Sequence, residues 1–147
     1  MKIEIRKMEE RDRASVHEMM RVFYSSAAVY TNGSEEIFAA DIDNCLGGSP
    51  YLEGYVFETD GTIAGYGMLA KSFSTEFGRP CIWVEDIYVK DELRGLSIGS
   101  HFMHFVEDSY PTALLRLEVE ADNDRAIAVY QRCGYDVLPY MEMKKGG

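Results

Sequence analysis

Two neighbouring runs of sequence decide the fold: Ile82-Trp83-Val84-Glu85-Asp86-Ile87-Tyr88-Val89, and the glycine loop Arg94-Gly95-Leu96-Ser97-Ile98-Gly99 that follows it. The first run is apolar on both faces and predicts a buried central strand. Beyond the loop, Phe102, Phe105 and Val106 continue an apolar stripe at helical spacing. Unpaired N–H groups and the positive end of the dipole at such a helix start suit a pyrophosphate. This order therefore predicts a phosphorylated cofactor.

The loop by itself leaves alternatives open, because glycine-rich turns also join strands to helices where no ligand binds. It lacks the Gly-Lys-Ser/Thr ending of a Walker loop, and its glycines do not follow the G-x-G-x-x-G order of dinucleotide-binding folds. The sequence thus indicates a different kind of phosphate cradle.

The strand, the Arg-x-x-Gly-x-Gly type of loop and the helix resemble the acetyl-CoA-binding signature of the GNAT superfamily of N-acetyltransferases. Ser97 stands where that family most often has glycine, and its small side chain is read as a tolerated variant. A second block is similar to the end of the family's domain: a strand over Leu115–Val119, then Asn123, Ala126, Tyr130 and the pair Gly134-Tyr135. The resemblance covers most of the chain.

The resemblance implies an acetyl-CoA-dependent N-acetyltransferase, with acetyl-CoA as the acetyl donor and no metal. The pantetheine arm would lie beside the central strand as an added strand. The glycine loop would hold the pyrophosphate, and the start of the last helix would lie close by, although helix capping is the simpler role for Asn123. The implied cofactor-binding residues are Ile87, Tyr88, Val89, Arg94, Gly95, Leu96, Ser97, Ile98, Gly99, Ser100, Asn123 and Ala126.

Composition bounds the class of protein. The chain has 147 residues, 46% of them hydrophobic, which suits a single domain over residues 1–147. No signal-peptide core or apolar run near the ~20 residues of a membrane span occurs, so a soluble, cytoplasmic protein is expected. The three cysteines form no Cys-x-x-Cys pair, which argues against a zinc site or a disulfide framework. A net charge of −10 disfavours nucleic acid and anionic membranes as partners.

Periodicity and turn signals predict an α/β (α+β) fold, and the resemblance implies a mixed central sheet of six to seven strands flanked by four helices. The predicted order is β-αα-βββ-α-β-α-β. A first helix begins near Asp12, Ser34 caps a second, and Asp60-Gly61 turns a β-hairpin. A final strand is expected around Val137 to Met143.

Acetyl transfer to an amine needs a base, because an alkylamine with a pKa near ~10 is charged at neutral pH and cannot attack. Glu85 and Asp86 lie within the apolar strand, where an unpaired carboxylate is costly. Strict alternation places Glu85 on one face with Trp83 and Ile87, and Asp86 on the other with Val84 and Tyr88. In the polyamine and diamine branch a Glu-Asp pair occupies this strand, which makes Glu85 the preferred base and Asp86 a substrate-binding residue. A purely structural carboxylate is the alternative.

The resemblance assigns Tyr130 to protonate the leaving thiolate, whereas core packing is the alternative role. Tyr24, Tyr30, Glu35, Glu36, Asp41 and Asp43 combine aromatic and acidic groups as a cation pocket would, yet a solvated helix face explains the carboxylates equally well. Tyr30 and Glu35 are the candidate acceptor-binding residues of this set.

The resulting hypothesis is direct acetyl transfer to a primary amine of a small cationic acceptor similar to a diamine or polyamine. The alternatives are an acetyltransferase acting on protein N-termini or lysines, and a non-catalytic acetyl-CoA sensor. The family also implies a homodimer as one arrangement.

Overall fold

The computed structural model describes residues 1–26, 29 and 33–147. In this part of the chain the five strands are β1 (Ile3–Lys7), β2 (Leu52–Thr59), β3 (Thr62–Ser74), β4 (Arg79–Val89) and β5 (Leu114–Leu117). The four α-helices are α1 (Arg13–Phe23), α2 (Glu35–Leu46), α3 (Ile98–Ser109) and α4 (Asp124–Arg132). The order β-αα-βββ-α-β-α agrees with the prediction as far as α4.

The strands form one mixed sheet in the order β1-β2-β3-β4-β5. Pairing is antiparallel from β1 to β4, and β5 adds to β4 in parallel. The β2–β3 turn follows the Asp-Gly prediction, since Asp60 and Gly61 have φ values of 51° and 83°. Two predicted helix caps also form: Ser34 accepts a hydrogen bond from the N–H of Ile37, and Asn123 accepts one from the N–H of Ala126.

A hydrophobic cluster covers each face of the sheet. On the first face, α1 and α2 bury Met20, Phe38 and Ile42 against Tyr66 and Tyr88. On the second face, α3 buries residues such as Phe102 and Val106 against β2, β3 and β4. The central strands are therefore covered on both sides. This explains why the sequence of β4 has apolar residues on both faces.

The expected sheet of six to seven strands is wrong: it has five strands among the described residues, and no strand forms around Val137 to Met143. Pro139 stands in the middle of the predicted strand and has no N–H to donate to a ladder. The segment also covers no core, since Val137 and Met141 are 74% and 90% exposed. It is held by side chains instead, and the hydroxyl of Tyr140 donates to Glu76 at 2.5 Å.

Candidate active site

A β-bulge in β4 lies at Glu85. Met68 of β3 pairs with Asp86 and Leu69 pairs with Val84, so Glu85 has no partner in the β3–β4 register. The extra residue reverses the alternation of faces. Val84 packs on the α3 side, whereas Tyr88 packs on the α1–α2 side. The expectation that Asp86 shares a face with Val84 is therefore wrong, while its grouping with Tyr88 holds.

Asp86 is buried on the α1–α2 side and is held by two tyrosines. The hydroxyl of Tyr66 donates to Oδ2 at 2.7 Å, and the hydroxyl of Tyr24 donates to Oδ1 at 2.9 Å. Burial raises the pKa of Asp86, and the two hydroxyl donors oppose that shift. No cationic side chain among the described residues forms an ion pair with this carboxylate. The site therefore holds a buried carboxyl group that accepts two hydrogen bonds and has no counter-charge among the described residues.

Further carboxylates surround Glu85. Burial raises the pKa of Glu85, and the charges of Asp86, Glu142 and Asp41 add to the shift. A hydrogen bond with Glu142, reinforced by burial, raises the pKa of Glu118 to about 7. Burial and then the charge of Asp86 raise the pKa of Asp41 to about 6. Like charges and partial desolvation thus favour the protonated forms, and a cation entering this region would reverse that preference.

The edge of β4 that faces β5 becomes unpaired at the bulge. The parallel β4–β5 pairing covers Cys81 to Val84 and ends there. From Glu85 to Val89 the β5-side edge of β4 therefore has no strand partner within the described residues. Free N–H and C=O groups on such an edge accept an extended ligand arm as an additional strand. This fits a pantetheine arm beside Ile87, Tyr88 and Val89, as the resemblance implies.

The glycine loop places free N–H groups at the start of α3. The first intrahelical hydrogen bond runs from the N–H of His101 to the carbonyl of Ser97, so the N–H groups of Ile98, Gly99 and Ser100 precede it. Ser97 provides no side-chain cap and adopts the left-handed region with φ 65°. The loop thus has the open geometry that a pyrophosphate requires.

The loop also lies against β4. A Cβ at Gly99 would be 3.7 Å from Cδ1 of Ile87. The Arg94 Nε donates to the carbonyl of Val89 at 3.1 Å, and its guanidinium lies 5.7 Å from the Tyr88 ring centroid. Arg94 also pairs with Asp91 at 2.9 Å.

The exposed Leu96 lies in the loop next to Gly95, whose φ is 83°. The predicted cofactor residues of β4 and the loop therefore form one continuous surface.

Helix α4 carries the remaining predicted residues. Tyr130 packs against the α3-side cluster, and burial raises its pKa. Its hydroxyl makes no hydrogen bond within the described residues, so it has a proton free to donate. The oxygen of Asn123 is used in the cap to Ala126, which agrees with the simpler of its two predicted roles.

The predicted acceptor residues are spread over different places. Tyr30 lies outside the described residues. Glu35 begins α2, where its carboxylate pairs with Arg21 at 2.5 Å and accepts from His17 at 3.0 Å. A surface pocket of about 250 Å³ between α1 and α2 is lined by Glu35, Tyr24 and Phe38 among others, and by no residue of β4. Of the two predicted residues that the structure describes, Asp86 lies at the bulge and Glu35 does not.

Several residues of this region were not in the predicted site. Tyr24 and Asp41 stood among acidic and aromatic residues for which a solvated helix face was an equal explanation. Tyr66 gave no signal, because a tyrosine in an alternating strand is an ordinary core residue. Glu118 and Glu142 come near Glu85 only when the chain folds.

Comparison with known proteins identifies the family. The profile of the Acetyltransferase (GNAT) family matches residues 14–135, which include β4, the glycine loop and α4. The chain belongs to the GNAT acetyltransferase family. Family membership classes this GNAT protein among the acyltransferase enzymes and implies acetyl-CoA as the acetyl donor, which the open β4 edge and the glycine loop fit.

Two relatives of this GNAT protein have the name thialysine N-epsilon-acetyltransferase. The one from Bos taurus is 40% identical over 83 residues, which cover 54% of this chain and 48% of the relative. The chain thus spans about half the length of that relative. The one from Sus scrofa is 31% identical over 143 residues, covering 88% of this chain and 82% of the relative.

The fold of this GNAT protein is similar to that of a solved structure described as a possible acetyltransferase from Clostridium difficile 630. Its TM-score is 0.86 at 16% identity, over 99% of this chain and 97% of that one. In the described part of this chain, no group of three or more His, Cys, Asp or Glu is placed to hold a metal ion. None of the helices described is long and apolar enough to cross a membrane.

Proposed function

We propose that this protein transfers the acetyl group of acetyl-CoA to a primary amine of a small cationic acceptor similar to a diamine or polyamine. One observation carries the proposal: the bulge places Glu85 where the β4–β5 pairing ends, at the start of the free β4 edge. The thialysine acetyltransferase relatives, whose name specifies an amine nitrogen, support an amine acceptor. The carboxylates around Glu85 support a cationic one.

Bound acetyl-CoA would supply an acetyl group activated as a thioester. In the proposed site Ile87, Tyr88 and Val89 hold the pantetheine arm along β4, and one of their N–H groups polarises the carbonyl. The pyrophosphate lies on Arg94, Gly95, Leu96, Ser97, Ile98, Gly99 and Ser100, with Asn123 and Ala126 at the start of α4 completing the cofactor contacts.

Glu85 is the proposed base. Its raised pKa suits this role, since a carboxyl that titrates closer to neutrality is a better proton acceptor than an ordinary one. It accepts a proton from the ammonium group, directly or through a water, and the neutral nitrogen then attacks the carbonyl carbon. Asp86, Tyr30 and Glu35 are assigned to the acceptor side.

Tyr130 is the proposed acid. As the new C–N bond forms and the C–S bond breaks, its hydroxyl donates a proton to the departing sulfur. The attacking nitrogen then loses its second proton to the Tyr130 phenolate through solvent, and Glu85 releases the first proton to water, so both products leave neutral at the reacting atoms and both side chains are restored. Burial favours the phenol form that this role needs, because it raises the pKa of Tyr130.

The test is the rate of coenzyme A release from acetyl-CoA with a panel of diamines, polyamines, amino sugars, amino acids and basic peptides. We expect turnover with small amines, and a loss of about 100-fold or more in kcat/KM for Glu85→Gln and Tyr130→Phe. Glu36→Gln and Tyr51→Phe are matched controls at exposed positions. Turnover with basic peptides alone would favour the protein acetyltransferase. Cofactor binding without release for any amine would favour the sensor.

A further inference from the structure

We infer that Asp41 determines acceptor specificity by binding the second ammonium group of a dicationic acceptor, so that the site selects diamines over monoamines of the same length. This inference rests on the proposed function and assigns a residue of α2 that the predicted site did not contain. Its basis is the position of Asp41, the lack of a partner for its carboxylate, and the surroundings of that carboxylate.

The position of Asp41 follows from its helix. Phe38 lies three residues before it and is buried in the α1–α2 cluster, and Cys45 lies four residues after it and packs against the same cluster. Residues at these spacings share one face of a helix, so Asp41 borders the face that packs on the sheet. The Phe38 ring lies 5.3 Å from the ring of Tyr24, whose hydroxyl holds Asp86. Asp41 is therefore one turn along α2 from Phe38, whose ring lies beside the tyrosine that donates to Asp86.

The carboxylate of Asp41 has no partner among the residues that the structure describes. It is half-buried, and no hydrogen bond or ion pair joins it to any residue in the described ranges 1–26, 29 and 33–147. Its neighbour Asp43 differs, since it is exposed and pairs with Arg13 at 2.8 Å. A half-buried carboxylate without a counter-charge weakens the folded state, so its presence indicates a cation that arrives from outside.

The surroundings of Asp41 contain anions and neutral groups. The charge of Asp41 acts on Tyr24 at the end of α1, Cys45 of α2, Tyr66 of β3 and Glu85 of β4, and the charge of Asp86 of β4 acts on Asp41. Asp86 is 5% exposed and is bound by two neutral hydroxyls. A second ammonium near Asp41 would therefore be attracted by two carboxylates, while the first is bound at Glu85. A monoamine with a methyl group at that position would gain nothing there.

The test compares 1,4-diaminobutane with butylamine and measures the ratio of their kcat/KM values. We expect the native protein to prefer the diamine at least about tenfold, and Asp41→Asn to lose most of that preference through the diamine alone. Asp41→Glu, which keeps the charge, should retain part of it. Asp108→Asn removes the same charge from an exposed position near the end of α3, outside the proposed site, and should leave the ratio unchanged. Circular dichroism of each variant checks that it folds.

The pH dependence of the ratio gives a second readout that a structural role would not change. The pKa of Asp41 is about 6, so its charge and the diamine preference should decline as the pH falls from 8 to 5. The diamine stays doubly charged, because alkylammonium groups titrate near ~10. Titration of Glu85 affects both acceptors and cancels in the ratio. In Asp41→Asn the decline of the ratio should therefore be reduced to the part that Asp86 contributes.

Three results would overturn the inference while the proposed function stands: equal kcat/KM for both acceptors in the native protein, an equal loss on both acceptors in Asp41→Asn, or an unchanged preference in Asp41→Asn. Absence of turnover with every amine would instead contradict the proposed function itself.

Discussion

Replacing Tyr66 by phenylalanine removes one of the two hydroxyls that hold the buried Asp86. The side chain of Tyr66 is fully buried, and its hydroxyl lies 2.7 Å from Oδ2. A hydrogen bond to a charged group contributes about 1.5–3 kcal/mol, so Tyr66→Phe should lower the free energy of unfolding by about 2 kcal/mol at a pH above the pKa of Asp86. For a chain of this size that corresponds to a fall in Tm of about 4–8 °C.

The loss should depend on pH in a defined direction. Burial raises the pKa of Asp86 in the folded protein above its unfolded value. The ionised carboxylate therefore weakens the folded state as the pH rises from the unfolded to the folded pKa, and below both values the group is neutral in both states. The bond to Tyr66 then joins neutral groups and contributes about 1 kcal/mol, so the effect of Tyr66→Phe should be roughly halved in acid.

A series of urea-unfolding measurements from pH 3 to pH 9 determines both quantities. Tyr51→Phe is the matched control, because the Tyr51 ring is 73% exposed and should change the stability by less than about 0.5 kcal/mol. Adding Asp86→Asn completes a double-mutant cycle that isolates the pairwise energy. A Tyr66→Phe protein within about 0.5 kcal/mol of the native one at a pH above the pKa of Asp86 would refute the reasoning.

Variants of Glu85, Ser97 and Gly67 test the base, the glycine loop and the packing of the sheet. In the native protein the acid limb of the pH profile of kcat/KM should lie above the ordinary pKa of 4.5, because the pKa of Glu85 is raised. In Glu85→Gln this limb should disappear, and a limb that persists would exclude Glu85 as the base. Ser97→Gly should raise the free energy of unfolding by about 1 kcal/mol in thermal unfolding, because Ser97 has a φ of 65°. It should also tighten coenzyme A binding measured by calorimetry, whereas weaker binding would show that the serine hydroxyl contributes. Gly67→Ala should cost about 1–3 kcal/mol, since its Cβ would lie 2.6 Å from the Phe102 ring; an unchanged Tm would mean that the ring moves freely.

The sequence predicted those elements whose signals are local. The Asp60-Gly61 turn, the caps at Ser34 and Asn123 and the loop before α3 each depend on residues within a few positions of one another, and each forms as expected. The last strand failed because Pro139 and the lack of a surface to cover outweighed the apolar composition of its segment.

The candidate site was only partly predictable, because its geometry depends on distant pairings. The bulge at Glu85 arises from the register between β4 and Met68 and Leu69 of β3, which strict alternation cannot reveal. Asp86 meets Tyr66 across 20 positions of sequence and Tyr24 across 62. Glu85 and Asp86 were nevertheless predicted as site residues. Carboxylates within an apolar strand are unusual whichever face they occupy, and the family resemblance pointed to the same pair.

The bulge has a consequence for how this enzyme could change over evolutionary time. It directs two adjacent residues differently, so that Asp86 lies on the α1–α2 side while Glu85 stays at the free edge of β4. In the proposed site, substitutions in α1 and α2 would then alter the preference among amines while the donor side, formed by β4, the glycine loop and α3, stays unchanged. Loss of the extra residue would return Asp86 to the face of Val84 and remove its carboxyl group from the α1–α2 side. In the proposed site, a shift of one residue in a single strand thus makes recognition of the donor and of the acceptor independently variable.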